Sequence, residues 1–459
     1  MKKRTIYGPP GTGKTTYLMS LIMEDLKTIK PNRIAFVSYT KQGTYEGAKR
    51  AHKKFSLKAS DTPFFRTIHS LCFRELGMRK YDMLQIKHYK MLSEKIGINF
   101  TGYYTQDFTS PNDEYLHALS MEKHNPALSV KMSKHMNARK YDYIKLNYAA
   151  IKKQLGIKDF DDLLEDYIAF CKPFDVDVAY IDEAQDLTPL QWKVVTHMFK
   201  NVKKIVVAGD DDQSVYEWAG ADTRQFLGFS KTSTVLHKSY RLPEKVCKIA
   251  NRISGDISLR KRKDFISNGE EGIVDRAPNL TSMDLKGGEL ILARTNYKLR
   301  ELCEELELMG VHYIRKGYTC AEPVTLKGIN TYKQYLKGER SQLDIKKFGN
   351  LFKDISVGKE WQEVLDKPKA KIAFYERLFS NGGLEKEPVL LETFHSSKGT
   401  EKDNVIVSPD LSLRVSNEFE KQRDAELRCL YVGMTRTKSR LTLLAPSWPR
   451  YYPAKYFNF

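Results

Sequence analysis

Paired cysteines are what this chain most plainly lacks. Its six cysteines (Cys72, Cys171, Cys247, Cys303, Cys320 and Cys429) are scattered over 459 residues without a C-x-x-C pair. That excludes a zinc ribbon or an iron–sulfur cluster on ligand spacing and points to reduced thiols in a cytosolic compartment. Long apolar runs are missing too, none approaching the ~18 residues a membrane span needs. The basic start Met1-Lys2-Lys3-Arg4 is not expected to open a signal peptide, because Gly8-Pro9-Pro10-Gly11 breaks the apolar region that should follow. No internal repeat or low-complexity tail is present. Negative charge is short as well: 57 Asp and Glu against 76 Lys and Arg leave +19 at pH 7. An imbalance of that size calls for a polyanionic partner, nucleic acid first and an anionic membrane surface second, and basicity alone does not choose between them.

What is present is a globular composition, 41% hydrophobic and 29% charged, long enough for about two to four domains. The most informative stretch is Gly8-Pro9-Pro10-Gly11-Thr12-Gly13-Lys14-Thr15. It lies between a strand ending at Tyr7 and a helix opening near Thr16, the context of a phosphate-binding loop. Glycines let backbone N–H groups turn toward phosphate oxygens, and the helix N-terminus adds its positive end. Lys14 supplies a point charge at the β/γ-phosphates, and the Thr15 hydroxyl can ligate Mg²⁺.

Ile181-Asp182-Glu183-Ala184-Gln185-Asp186 follows a second predicted strand, at the sheet edge where open α/β folds bind ligands. Asp182 can hold Mg²⁺ opposite Thr15, and Glu183 can act as the base that activates water. A third stretch, Gly209 through Ala221, follows another strand and carries Gln213 close to Tyr216 and Trp218. Gln213 can orient water or sense the γ-phosphate. The two aromatics read either as platforms on which single-stranded bases stack or as core residues. The run Arg260-Lys261-Arg262-Lys263 reads as a solvated face.

Strands alternate with helices along most of the chain, which predicts a parallel α/β core. Strands are expected at 33–40, 176–181, 204–209, 289–294, 389–393, 404–407 and 440–444. Residues 77–155 have helical spacing and few glycines, and 318–386 are Lys-rich and poorly patterned. The expected organisation is therefore two α/β lobes, 1–76 with 156–238 and 239–317 with 387–459, each carrying a small, mainly helical insertion (77–155 and 318–386).

These stretches together resemble the UvrD/Rep/PcrA group of superfamily 1 helicases, and the likeness runs through almost the whole chain. The phosphate loop is similar to motif I, and Phe36 to Gln42 to motif Ia. Thr67-Ile68-His69-Ser70-Leu71-Cys72 and Asp159-Phe160-Asp161-Asp162-Leu163-Leu164 resemble two further family stretches, and the Asp182 and Gln213 boxes resemble motifs II and III. Ser239-Tyr240-Arg241-Leu242-Pro243, Arg294-Thr295-Asn296, Thr393 to Glu401 and Leu430 to Arg436 continue the series through motif VI. The resemblance implies two RecA-like lobes with an ATP cleft between them. It implies that Gly8 to Thr15, together with Thr16, bind ATP, and that Thr15 and Asp182 hold Mg²⁺. Arg241 and Arg436 would be arginine fingers at the γ-phosphate, Tyr240 would stack on adenine and Glu401 would meet the ribose. Tyr39, Thr40, His69, Tyr216, Trp218 and His395 would face DNA.

The implied activity is an ATP-dependent 3′→5′ DNA helicase or single-strand translocase in replication, repair or recombination. An ATP-gated nucleic-acid loading factor is the alternative, and an RNA-directed motor a third. Single-stranded DNA and its junctions with duplex are the expected partners, with replication or repair proteins beside them. A monomeric or weakly self-associating, cytoplasmic protein is expected, in a bacterium or a virus-infected host. The sequence departs from the family pattern at Thr16 and Ala219, where arginine is usual, and at Thr400 and Lys402 around Glu401. No adenine-reading segment precedes the phosphate loop, which leaves selectivity for ATP over other nucleotides an open expectation, and the small insertions make a compact motor the expected form.

Overall fold

A computed structural model of the protein describes residues 1–38, 49, 53, 56–102, 110–353, 355, 359–382 and 384–457. Tyr39 and Thr40, expected at a DNA surface, lie outside the described residues. The chain divides into two compact units, Met1–Arg241 with Ser254–Gly269, and Leu242–Ile253 with Glu270–Phe459.

The first unit is built on a six-stranded sheet among the described residues, in the order β3-β2-β4-β5-β1-β6. Its strands are β1 (Lys2–Tyr7), β2 (Ile34–Ser38), β3 (Phe65–Thr67), β4 (Val178–Asp182), β5 (Lys204–Gly209) and β6 (Ser233–Val235). All pairings are parallel. Parallel strands covered on both faces read as unbroken apolar runs, and β2 and β4 are buried at every position. Alternate residues feed two cores. Ala35, Val37, Ala179 and Ile181 join Leu163, Trp192 and Val195 on one face. Ile34, Phe36, Val178 and Tyr180 join Leu18 and Ile22 on the other. The register aligns Tyr7 with Gly209 and Ser38 with Asp182, so the strands carrying the three predicted boxes end along one edge.

The described residues within 77–155 include the helices Ile86–Ile96, Asp113–His124, Pro126–Ser133 and Ala138–Leu155. They close on a small core of their own formed by Leu92, Ile96, Phe100, Leu116, Ile144 and Ile151. The following stretch is nailed down by charge. Asp159 caps the helix Phe160–Phe170 by accepting from Asp161 N (3.0 Å) and Asp162 N (2.8 Å), and Lys152 pairs with both Asp159 and Asp162.

In the second unit the sheet order is β10-β9-β11-β8-β12-β13-β7. The strands are β7 (Ile273–Ala277), β8 (Leu290–Ala293), β9 (Tyr313–Arg315), β10 (Tyr318–Thr319), β11 (Val389–Thr393), β12 (Lys402–Val407) and β13 (Thr437–Leu444). Within this sheet, among the described residues, only the β9–β10 strand pair is antiparallel. The stretch 318–386 contains the helices Pro323–Leu336, Gln342–Lys346, Trp361–Val364 and Lys369–Ser380. Their Ile329, Tyr332, Phe374 and Tyr375 share one core with Ile291, Leu391 and Ile406 of the sheet. The strands β6, β7, β9 and β10 escaped the sequence because they are largely unburied and lack the unbroken apolar run that marks the interior strands.

Truncating Leu163, which is fully buried in the first unit, to alanine should cost about 2–5 kcal/mol through the cavity it leaves. The same change at exposed Leu146 should stay within about 0.5 kcal/mol. Urea denaturation followed by tryptophan fluorescence distinguishes them, since Trp192 lies in the same core as Leu163.

Candidate active site

The phosphate loop leaves β1 and enters the helix Lys14–Asp25. Gly11 and Gly13 take left-handed backbone angles (φ 72° and 75°). Gly8 and Gly11 are also required by close approach. A Cβ at Gly8 would lie 2.1 Å from Lys14 Cγ, and one at Gly11 would lie 2.4 Å from Arg241 Cβ. Thr12 Oγ1 donates to Pro9 O at 2.8 Å, and Lys14 Nζ folds back to donate to Gly8 O, also at 2.8 Å. The loop is thus held open-ringed by its own side chains, with the Lys14 ammonium at its centre.

Thr15 Oγ1 donates to Asp182 Oδ2 at 2.6 Å, joining the loop to the end of β4. Asp182 is buried. Burial, then the charge of Glu183, raises its pKa to about 6, against the Thr15 hydrogen bond and Lys14. A hydroxyl and a carboxylate at this separation are the hard oxygen donors that Mg²⁺ takes. Glu183 has a left-handed backbone (φ 54°), an arrangement costing about 1–3 kcal/mol for a residue other than glycine. Its N–H donates to Asp182 Oδ1 at 3.0 Å. Its Oε2 accepts from Gln185 Nε2 at 2.7 Å.

The loop after β5 is held from two sides. Asp210 N donates to Gln185 Oε1 (3.1 Å), and Gln213 Nε2 donates to Asp210 Oδ2 (2.6 Å). On the other side Lys263, its side chain fully buried, contacts Asp211 Oδ1 (2.6 Å), Asp212 Oδ2 (2.8 Å) and Asp210 Oδ1 (3.2 Å). Arg260 forks onto both oxygens of Asp212 at 2.8 and 2.7 Å. The solvated-face reading is thereby corrected at Arg260 and Lys263, which supply the counter-charge a buried carboxylate cluster demands, while Lys261 and Arg262 are exposed as that reading has it. Burial would raise the Asp212 carboxyl, but the Arg260 hydrogen bond and Lys263 hold it below its ordinary value. At Asp211 burial prevails over Lys263 and the pKa is raised.

Ser239, Tyr240 and Arg241 run against the phosphate loop. Tyr240 N donates to Gly11 O and Ser239 Oγ to Pro10 O, each at 2.8 Å. The Tyr240 ring stays 71% exposed. Lys14, Thr15, Asp182, Glu183, Gln213 and Arg241 all belong to the first unit.

The model for the UvrD/REP helicase N-terminal domain matches residues 1–234, more than half of the chain. The protein belongs to the UvrD/REP helicase family. Among curated relatives, the ATP-dependent DNA helicase PcrA of Bacillus subtilis is 26% identical over 294 residues, covering 57% of this chain and 39% of its own. A probable DNA helicase II homolog of Mycoplasma capricolum is 23% identical over 346 residues, covering 66% of this chain and 44% of its own. The chain therefore spans about two fifths of the length of these relatives. Among solved structures, the arterivirus nonstructural protein 10 helicase aligns with a TM-score of 0.38 at 11% identity, over 100% of this chain and 62% of that one.

Other residues expected from the UvrD/REP pattern have their own settings. In the second unit Arg436 is 2% exposed, with Nε donating to Val432 O at 2.9 Å. It follows the helix Arg423–Met434, which is anchored by a buried fork from Arg294 to Glu426 at 2.7 and 2.6 Å. Glu401 pairs with Lys438 at 3.0 Å. His395 is buried, its Nε2 3.1 Å from Cys429 Sγ, and burial holds its pKa well below the ordinary value. In the first unit His69 lies edge-on to Phe160 at 5.5 Å, and burial lowers its pKa to about 4. Tyr216 and Trp218 are half-buried. The Trp218 ring is 6.2 Å from that of His117 on the helix Asp113–His124, so the inserted helices pack on this turn. Thr16 is exposed.

Sequence reasoning missed Gln185, Asp210 and Lys263. The D-E-A-Q-D spacing offered a signal for Gln185. Lys263 offered none, because a basic run looks alike whether solvated or buried.

Replacing Lys263 by methionine should destabilise the first unit by about 3–5 kcal/mol at neutral pH, since it strands buried carboxylates. Their folded-state pKa values would then exceed the unfolded ones. That contribution is favourable below the unfolded value and lost as pH rises through the folded one, so the deficit should shrink toward about pH 5. Denaturation midpoints of wild type and variant at the two pH values test this.

Proposed function

We propose that this chain is an ATP-driven motor on single-stranded DNA, translocating 3′→5′ and unwinding duplex at junctions. The observation that carries the reading is the 2.6 Å hydrogen bond from Thr15 Oγ1 to Asp182 Oδ2, which couples a complete phosphate loop to a metal-ligating carboxylate inside a UvrD/REP helicase domain. In this reading the backbone of Gly8 to Thr15 cradles the ATP phosphates and Lys14 leaves Gly8 O to meet them. Thr15 and Asp182 would hold Mg²⁺, whose chemistry there would be to neutralise charge on the phosphate oxygens. Glu183 takes the proton of the attacking water, and Gln213 orients that water and responds to the γ-phosphate. Tyr240 offers its exposed ring to adenine and Glu401 meets the ribose.

Arg241, whose backbone already lies against Gly11, stabilises charge as the γ-phosphoryl leaves. Arg436 joins it from the second unit when nucleotide drives closure, so that hydrolysis and movement are coupled. The +19 net charge supports a phosphate-backbone track. Tyr216 and Trp218 supply stacking platforms beside Gln213. We assign the motor to replication, repair or recombination, acting as a monomer or weak self-associate with proteins of those pathways. Among the described residues no helix is long and apolar enough to cross a membrane.

ATP turnover should rise when single-stranded DNA is added, and Lys14→Ala should abolish it. Trp218→Ala should weaken DNA stimulation several-fold while leaving basal turnover largely intact. Strand displacement on 3′-tailed and 5′-tailed duplexes tests direction: unwinding from the 5′ tail alone would overturn the polarity, and stimulation by RNA but not DNA would overturn the substrate. Stoichiometric turnover without movement would favour the loading factor.

A further inference from the structure

We propose that Gln185 is a positioning residue that couples the water-activating Glu183 to Gln213 through Asp210. The inference rests on the hydrolase reading above, and adds to it a residue that touches neither nucleotide nor metal in that scheme. Gln185 is 0% exposed, and both ends of its amide are used. Nε2 donates to Glu183 Oε2 (2.7 Å) and to Asp186 Oδ2 (3.0 Å), while Oε1 accepts from Asp210 N (3.1 Å). An amide has two donors on one side and an acceptor on the other, so only this orientation is allowed. Reversal would set its oxygen against two carboxylates and its NH₂ against a backbone N–H.

The far end is equally constrained. Asp210 carries the N–H that reaches Gln185 and the Oδ2 that receives Gln213 Nε2 at 2.6 Å. Ser214 Oγ donates to Gln185 O at 3.0 Å, fixing the next turn to the same residue. There is no slack at the contact, because a Cβ on Gly209 would come within 2.2 Å of Gln185 Oε1. In a buried, low-dielectric setting such linked hydrogen bonds strengthen one another, so that each partner's position constrains the next. A displacement of Gln213 is therefore transmitted through Asp210 to the amide that holds the Glu183 carboxylate, whose backbone is already confined to a left-handed angle. Gln185 thus sets where the base points according to the state of the γ-phosphate sensor.

The test is a double-mutant cycle in basal ATP turnover of the full chain with Mg²⁺, pairing Gln185→Met with Gln213→Ala. Each single change should lower kcat about tenfold or more with the KM for ATP held within about threefold, and the double variant should be no more than about threefold slower than the slower single. Losses that multiply, or that fall on KM alone, would overturn the proposal. Gln185→Glu is the second variant: it keeps an acceptor for Asp210 N and sets a carboxyl oxygen where the donors to Glu183 and Asp186 were, and a thermal midpoint close to that of wild type shows that it folds. It should lose kcat to a similar degree, and a wild-type kcat in that variant would also overturn the coupling. A wild-type chain without ATP turnover removes the hydrolase reading itself, a result visible before any variant is compared. Turnover indifferent to DNA removes only the DNA motor and leaves the cycle readable.

Discussion

The parallel register of β1, β4 and β5 is the constraint on which the candidate site depends. Because these strands run the same way and are adjacent, the chain must leave all three at one edge, Tyr7 beside Gly209 and Asp182 one strand over. Everything chemical in the first unit follows from that edge: the phosphate loop leaves β1, the carboxylates leave β4 and the Gln213 loop leaves β5. The two cores that sandwich the sheet resist any strand slip, since a one-residue shift would turn every apolar side chain to the wrong face.

Setting that many polar groups at a buried edge is costly unless each is answered. The structure answers with geometry for the neutral groups and with counter-charge for the acids. Gln185 spans β4 and β5 with an amide satisfied on both sides, while Lys263 and Arg260 face the carboxylates of Asp210, Asp211 and Asp212. The first set of contacts ties together the loops that meet nucleotide in the proposed scheme. The second anchors one of those loops to a segment more than forty residues further along the chain.

How much of this was legible depended on how local the cause was. The phosphate loop, the Asp182–Glu183 pair and the strands before them read directly, because glycine placement and unbroken apolar runs are local signals of a loop and a buried parallel strand. The edge strand Ser233–Val235 did not, since its three residues are half-buried or exposed and carry no apolar run, and neither did the bounds of the individual helices within 318–386, whose apolar faces are recognisable only once packed on Ile291 and Leu391. Trp218 could be read two ways from sequence, and its ring beside His117 reflects an insertion about a hundred residues upstream.

By itself, then, the sequence determined the α/β class, the UvrD/REP resemblance and the residues proposed to handle phosphate, metal and water. Those properties reside in short runs whose backbone conformation and chemistry are set within a few residues. Only the tertiary structure decided that Gln185 bridges Glu183 and Asp210, that Lys263 is an interior counter-ion rather than a surface lysine, and that His395 is packed on Cys429. Each of these is a pairing between distant positions under burial. The energy that selects them, desolvation answered by a specific partner, does not exist until the fold has excluded water.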